Sequence, residues 1–170
     1  MTNSVRRLVD RDAGAYVALR REMLEDSPFS FVGAPGDDRG LDVAFVREQI
    51  ASGTAAYFGA DDPADPSRLI AVALIVREPR AKMRHRATII SVYVTPRARG
   101  RGLGRAVVSA CIEEARRWPG VEIVALGVWS RAPTARRLYE SLGFTAWGVQ
   151  PDSVRINGVS DDEVYMQRRV

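Results

Sequence analysis

Gly100, Gly102 and Gly104 stand at alternate positions in the stretch Val92-Tyr-Val-Thr-Pro-Arg-Ala-Arg-Gly-Arg-Gly-Leu-Gly104, directly after an alternating apolar run that stops at Pro96. Glycines in that arrangement let the backbone approach a ligand without interference from Cβ atoms. Arg97, Arg99, Arg101 and Arg105 place fixed positive charge around the same turn. An amphipathic helical pattern opens at Leu103, so the turn ends on unpaired N–H groups and the positive end of a helix dipole. Strand, glycine and arginine turn, and helix N-terminus together suit a phosphorylated ligand. Two common phosphate loops are excluded by spacing. A Walker loop needs Gly-Lys-Ser/Thr at its end, and the chain's only lysine, Lys82, lies far from the glycines. A dinucleotide fingerprint needs a glycine where Arg105 stands.

The spacing that fits is Arg-x-x-Gly-x-Gly, filled by Arg99, Gly102 and Gly104. It resembles the acetyl-coenzyme A pyrophosphate loop of the GNAT acetyltransferase superfamily. About thirty-five residues downstream, Ala135-Arg-Arg-Leu-Tyr139-Glu-Ser-Leu-Gly143-Phe144 is similar to that family's second coenzyme A motif. The likeness is tight from Ala87 to Phe144 and looser elsewhere. It implies acetyl-coenzyme A as co-substrate, no metal, and direct transfer of the acetyl group to a primary amine of a small molecule or an exposed protein amine. By the same resemblance, Val92, Tyr93 and Val94 would offer strand backbone to pantetheine, and the turn Gly100, Arg101, Gly102, Leu103, Gly104, Arg105 would wrap the pyrophosphate. A backbone N–H near Val94 would face the developing oxyanion. Tyr139 stands where the family commonly places the general acid that protonates the departing thiolate. Tyr139 also falls on an apolar stripe with Ala135, Leu138 and Leu142, and a packed ring with its hydroxyl in a cleft satisfies both roles.

The amine needs deprotonating, since an alkyl ammonium titrates near ~10. Ribosomal-protein N-terminal acetyltransferases carry a base glutamate where this chain has Gly127. Histone-type members place one in the strand before the glycine turn, and Arg86 to Val94 contains no carboxylate. These departures argue against protein N-termini and histone lysines as acceptors and leave the base unassigned. His85, the only histidine, is one candidate. Glu22, Glu25 and Asp26, at the end of the first helix, are others. Trp129 and Trp147 are expected near the acceptor cleft. Cys111 lies on a helical core stripe and reads as packing. A non-catalytic acyl-coenzyme A-binding module is the alternative, with the cradle kept and the acceptor chemistry lost.

These residues need a scaffold that 170 residues can supply as a single domain spanning 1–170. Val5–Leu8 reads as a strand and Asp10 as the N-cap of a helix reaching Glu25. A Pro-, Gly- and Asp-rich surface loop covers Asp26–Gly40, and Asp42 caps a second helix ending at Gly53. Strands follow at Ala55–Ala60, Leu69–Val76 and Arg86–Val94. After the helix from Leu103 to Trp118 come a strand at Val121–Val128 and a short helix opened by Pro133, with Gly143 as its C′ residue. Two last strands, Thr145–Ile156 and Glu163–Arg169, turn at Asn157-Gly158. The fold class is α/β (α+β): one mixed, mostly antiparallel sheet of about seven strands flanked by about four helices, the order of the GNAT fold.

The net charge of +4 and pI near 9.7 raise nucleic acid as a partner, but the basic residues are dispersed outside the glycine turn. No nucleic-acid partner is expected. No membrane partner is expected either, because no run approaches the ~20 apolar residues of a membrane span. The lone cysteine precludes an intrachain disulfide, and no basic-then-apolar leader opens the chain. A cytoplasmic location is the expectation, and a homodimer is compatible with it.

Overall fold

The computed structural model describes residues 4–170. Its strands are β1 (Val5–Arg7), β2 (Ala55–Asp62), β3 (Asp65–Arg77), β4 (Arg86–Val94), β5 (Ile123–Trp129), β6 (Thr145–Ile156) and β7 (Val159–Arg169). Its α-helices are α1 (Ala13–Asp26), α2 (Val43–Ala51), α3 (Leu103–Arg117) and α4 (Pro133–Ser141). The strands form one seven-stranded sheet in the order β1-β2-β3-β4-β5-β7-β6. Only β4 and β5 run parallel, because α3 carries the chain across the sheet between them. Among the described residues, no helix is long and apolar enough to cross a membrane.

Each face of the sheet has its own core. On one face, Val107, Val108, Cys111 and Ile112 of α3 pack with Ile75, Ile89, Val124 and Leu126. On the other, Tyr16, Leu19 and Met23 of α1 and Val46 of α2 pack with Tyr57, Val72, Leu74 and Tyr93. This two-sided burial explains why β2 and β3 read as continuous apolar runs instead of alternating ones. β6, at the sheet edge, is exposed along most of its length.

Three local details differ from the sequence reading, the simplest being that β7 begins at Val159, directly after the Asn157-Gly158 turn, and not at Glu163. Asp10 does not cap α1: residues Asp10–Asp12 form a 3-10 turn, and the Asp12 carboxylate accepts the Val9 N–H at 2.8 Å. Asp12 is also held by both Arg6 terminal nitrogens, at 2.8 and 2.9 Å. The hairpin strands β2 and β3 run further than the β-branched stretches suggest, leaving only a tight turn before Asp65. By contrast, Asp42 caps α2 as expected, accepting from Ala44 N at 2.8 Å and Phe45 N at 3.3 Å.

Candidate active site

The sheet opens where β4 and β5 part. Their paired residues stop at Thr88 opposite Ala125, so the β5-facing side of β4 has no strand partner from Ile89 onward. A bulge in β4 lies in this open section. Ser91 adopts φ 54°, and the β3 register slips between Val72 and Leu74. The bulge reverses the alternation of the strand: Ile89 packs beneath α3, whereas Tyr93 packs beneath α1. A left-handed serine inside a strand is strained, and a side chain holds it there. The Ser91 hydroxyl accepts from Arg20 Nη1 at 3.3 Å.

The glycine turn closes the end of the opening. Gly100 and Gly102 have φ of 77° and 78°, conformations that L side chains seldom take, and a Cβ on either would enter open space. Gly102 is the N-cap of α3 and offers no side chain to the first-turn N–H groups. Those donors face the opening unfilled by protein caps. Gly104 has another reason to be glycine, since a Cβ there would meet Leu138 Cδ2 at 3.3 Å and Val94 Cγ2 at 3.8 Å.

The opening is a cavity of about 630 Å³ bordered by β4, the turn, the first turn of α3, and α4. Every residue assigned above to the coenzyme from Val92 to Arg105 borders it except Arg101, which is exposed beside it. The four arginines divide their work. Arg97 points away to the buried carboxylate of Asp62 and holds that carboxyl below the usual range. Arg99 donates to Val94 O at 3.0 Å, pairs with Asp26, and lies 5.7 Å over the Tyr93 ring. Burial pushes the Asp26 carboxyl up, but hydrogen bonds from Ser27 and Arg99 outweigh it and bring it down. Arg105 reaches Ser141 Oγ at 2.7 Å and ties α3 to α4. Arg97 is therefore a structural partner of the β2–β3 hairpin and Arg99 is paired with Asp26, so among the described residues the charge of the turn without a carboxylate partner is that of Arg101 and Arg105.

Tyr139 borders this cavity and also a second one of about 110 Å³ between β4 and β5. Its ring is buried against Phe144, with ring centres 6.1 Å apart. Burial first, and the neighbouring Cys111 second, push its phenol above the ordinary value, so it carries its proton at neutral pH. Cys111 is fully buried and its thiol is likewise pushed up by burial, as suits a packing residue.

The smaller cavity is bounded by Ser91 and Val92 on one strand, Gly127 and Trp129 on the other, and Ser30 and Phe31 from the loop after α1. That loop was read as surface, but Phe31 is buried and forms a wall. His85 does not reach the opening. It is exposed at the far end of β4, where its carbonyl accepts from Glu122 N and Ile123 N. Glu22 is engaged by Thr95 Oγ1 and by Tyr93 OH at 3.1 Å, and Glu25 is exposed. Trp129 borders the cavity, while Trp147 lies outside it on β6, stacked on Tyr165 at 5.5 Å.

The region beside Gly127 holds a carboxylate that sequence reasoning missed. Glu163, on the neighbouring β7, lays its side chain over Gly127. A Cβ there would overlap Glu163 Oε1 and lie 2.8 Å from its Cδ. Antiparallel pairing of Trp129 with Glu163 and of Gly127 with Tyr165 puts all four residues on one face of the sheet. No motif marks this residue. The signal was the glycine itself, an exposed gap in an otherwise apolar strand.

A parallel strand pair that splays, with a glycine turn at its mouth leading into a helix, defines an acyl-transferase fold of the GNAT type. The model of the acetyltransferase (GNAT) family matches residues 18–144, and the chain belongs to that family. An L-methionine sulfoximine/L-methionine sulfone acetyltransferase of Salmonella typhimurium is 44% identical over 61 residues, 36% of this chain and 35% of that protein. The L-amino acid N-acyltransferase MnaT of Escherichia coli is 39% identical over 77 residues, 45% of this chain and 44% of that protein. The matched stretches thus span less than half of either relative. Among solved structures, a GNAT superfamily phosphinothricin acetyltransferase from Sinorhizobium meliloti, in complex with AcCoA, superimposes with a TM-score of 0.84 at 23% identity. The match covers 100% of this chain and 89% of that one.

Proposed function

We propose that this protein transfers an acetyl group from acetyl-coenzyme A to the primary amine of a small molecule, with an amino acid as the leading acceptor class. The observation that carries the reading is the continuous opening from the Gly100–Arg105 turn, along the unpaired side of β4, to Tyr139. The turn suits a pyrophosphate: positive-φ glycines leave the space free, uncapped N–H groups of α3 point to it, and Arg101 and Arg105 supply charge. When bound there, acetyl-coenzyme A supplies an activated acetyl group on a thioester.

The chain's own residues supply the rest. The free edge of β4 offers backbone hydrogen bonds to an extended arm. Tyr139, a phenol that carries its proton at neutral pH, borders the opening where it can donate to a leaving thiolate. Phe31 and Trp129, both buried, line the smaller cavity with apolar surface where a nucleophile would approach. The acceptor class is supported by the two relatives named for amino acid and methionine sulfone acylation.

The test is release of coenzyme A thiol by the purified protein, with acetyl-coenzyme A and each of a panel: the standard amino acids, L-methionine sulfone, and spermidine. The reading predicts release above the amine-free rate for at least one amino acid. Saturable acetyl-coenzyme A binding with no amine-dependent release would replace the enzyme with a binding module.

A further inference from the structure

We infer that Glu163 is the group that receives the amine: its carboxylate binds the acceptor's ammonium and takes its proton, standing in from β7 for a side chain that β5 lacks at Gly127. The inference rests on the amine-transfer reading above.

Three observations meet at this position. First, Gly127 borders the small cavity where β4 and β5 separate. Second, Glu163, which does not itself line that cavity, covers the place a side chain on residue 127 would take. The nearest atoms to a Cβ on residue 127 are Glu163 Oε1, Cδ and Cγ, with Cδ at 2.8 Å and Cγ at 3.2 Å. A carboxylate is therefore delivered to the β5 backbone across one strand spacing. Third, Glu163 is held there without being neutralised. Ser153 Oγ donates to its Oε2 at 3.2 Å, from the stretch where β6 slips register between Gln150 and Val154. The Tyr165 hydroxyl, on the same face two residues on, donates to Gln150 Oε1 at 2.5 Å. Among the described residues, none of the ion pairs includes Glu163, although Asp161 two residues earlier is paired with Arg131 at 3.8 Å. A half-buried carboxylate whose hydrogen-bond donor is a neutral hydroxyl leaves the place of a cationic partner open. Trp129, paired with Glu163 across the β5–β7 ladder, and Tyr165 on the same face add aromatic surface beside it, which also suits a cationic amine.

The proton and bond balance is complete with groups already named. The ammonium gives one proton to the Glu163 carboxylate. Its nitrogen lone pair then forms the C–N bond to the acetyl carbon as the C–S bond breaks. The thiolate takes a proton from Tyr139. The second nitrogen proton leaves to water and replaces the one Tyr139 gave, and Glu163 returns its proton to solvent.

The experiment first identifies an amine from the panel that the parent protein acetylates, then compares kcat and KM for that amine in three variants. Glu163→Gln keeps shape and hydrogen bonding and removes the charge. It should lower kcat/KM for the amine by ~10²-fold or more. Its acetyl-coenzyme A affinity and melting temperature should match the parent's. Gly127→Ala pushes the carboxylate aside without removing it and should lower kcat/KM by about 10-fold in the same way. Glu163→Ala combined with Gly127→Glu returns a carboxylate to the cavity from β5. It should recover about 10-fold over Glu163→Ala alone, which a merely structural role for Glu163 would not produce. Glu163→Gln within twofold of the parent, with chemistry limiting the rate, overturns the assignment while leaving amine transfer intact. A parent that acetylates no amine removes the transfer reading and this inference with it.

Discussion

Arg20 and Asp38 form an ion pair of 2.5 Å that is shut from solvent on both sides, with side-chain exposures of 9% and 7%. The same guanidinium touches Ser91 at the β4 bulge and lies 5.0 Å over the Phe31 ring. Asp38 in turn accepts Gly40 N at 2.7 Å and fills the space beside Gly33, whose Cβ would lie 2.8 Å from Asp38 Cγ. One pair thereby joins α1, the strained serine of β4, and the loop that walls the smaller cavity.

Removing one member leaves the other charged and buried. Asp38→Ala should destabilise the fold by ~3–5 kcal/mol, the usual result of stranding a buried charge. Chemical denaturation measures it. Because Phe31 borders the acceptor side of the opening, the surviving folded fraction should show a raised KM for the amine with acetyl-coenzyme A affinity little changed. A loss below about 1 kcal/mol would mean that the pair is not what secures the loop.

Gly102 and Gly120 have φ of 78° and 77°, and a Cβ on either meets nothing within 4 Å. Alanine at either position should therefore cost about 1–2 kcal/mol from left-handed strain alone. Only Gly102→Ala should also weaken acetyl-coenzyme A binding, measured by calorimetry, since only Gly102 lies on the cavity. Equal affinity in the two variants would dissociate the glycine turn from the coenzyme.

Tyr139→Phe keeps the ring against Phe144 and removes the hydroxyl. Turnover under chemistry-limited conditions should fall by ~10²-fold, in line with loss of a general acid. Melting temperature and coenzyme affinity should stay near the parent values. Unchanged turnover would assign Tyr139 to packing.

Asp12 carries a folded-state prediction for acid. The Arg6 hydrogen bond outweighs burial, which pushes the other way, and the Val9 N–H assists; together they hold its carboxyl below the usual range. A group that binds its proton more weakly when folded contributes stability in full above its unfolded value of ~3.9. That contribution is lost as pH falls through the lower folded value. The parent should therefore lose stability more steeply than Asp12→Asn on acidification below about pH 4, and the two curves should converge. Parallel curves would show that the Arg6 contact is not formed in solution.

Much of the scaffold was legible because it rests on local chemistry. The Asp42 cap, Pro133 at a helix start, Asn157-Gly158 at a hairpin, and the Arg-x-x-Gly-x-Gly turn each act within a few residues. β4 and β6 were legible from end to end for that reason. The parts that were not legible depend on distant partners. The α1 start shifted because Asp12 is claimed by Arg6, and the four arginines looked equivalent until Asp62 and Asp26 claimed two of them. The β4 bulge at Ser91 is held by Arg20, far away in sequence. Gly127 marks an open place on β5, but that Glu163 covers it follows from the β5–β7 register, which nothing local encodes. His85 looked suitable by chemistry alone, and the position of β4 in the sheet puts it at the wrong end.

The central claim is one acetyl group moved from thioester to amine inside this opening, and product stoichiometry tests it most directly. Purified protein is incubated with acetyl-coenzyme A and the panel amines, and both the liberated thiol and the acetylated amine are quantified, the latter by mass spectrometry. One N-acetylated amine per thiol, with both products falling together in Tyr139→Phe, is the expected result. Thiol release without an acetylated amine, or neither product at saturating acetyl-coenzyme A, would contradict it.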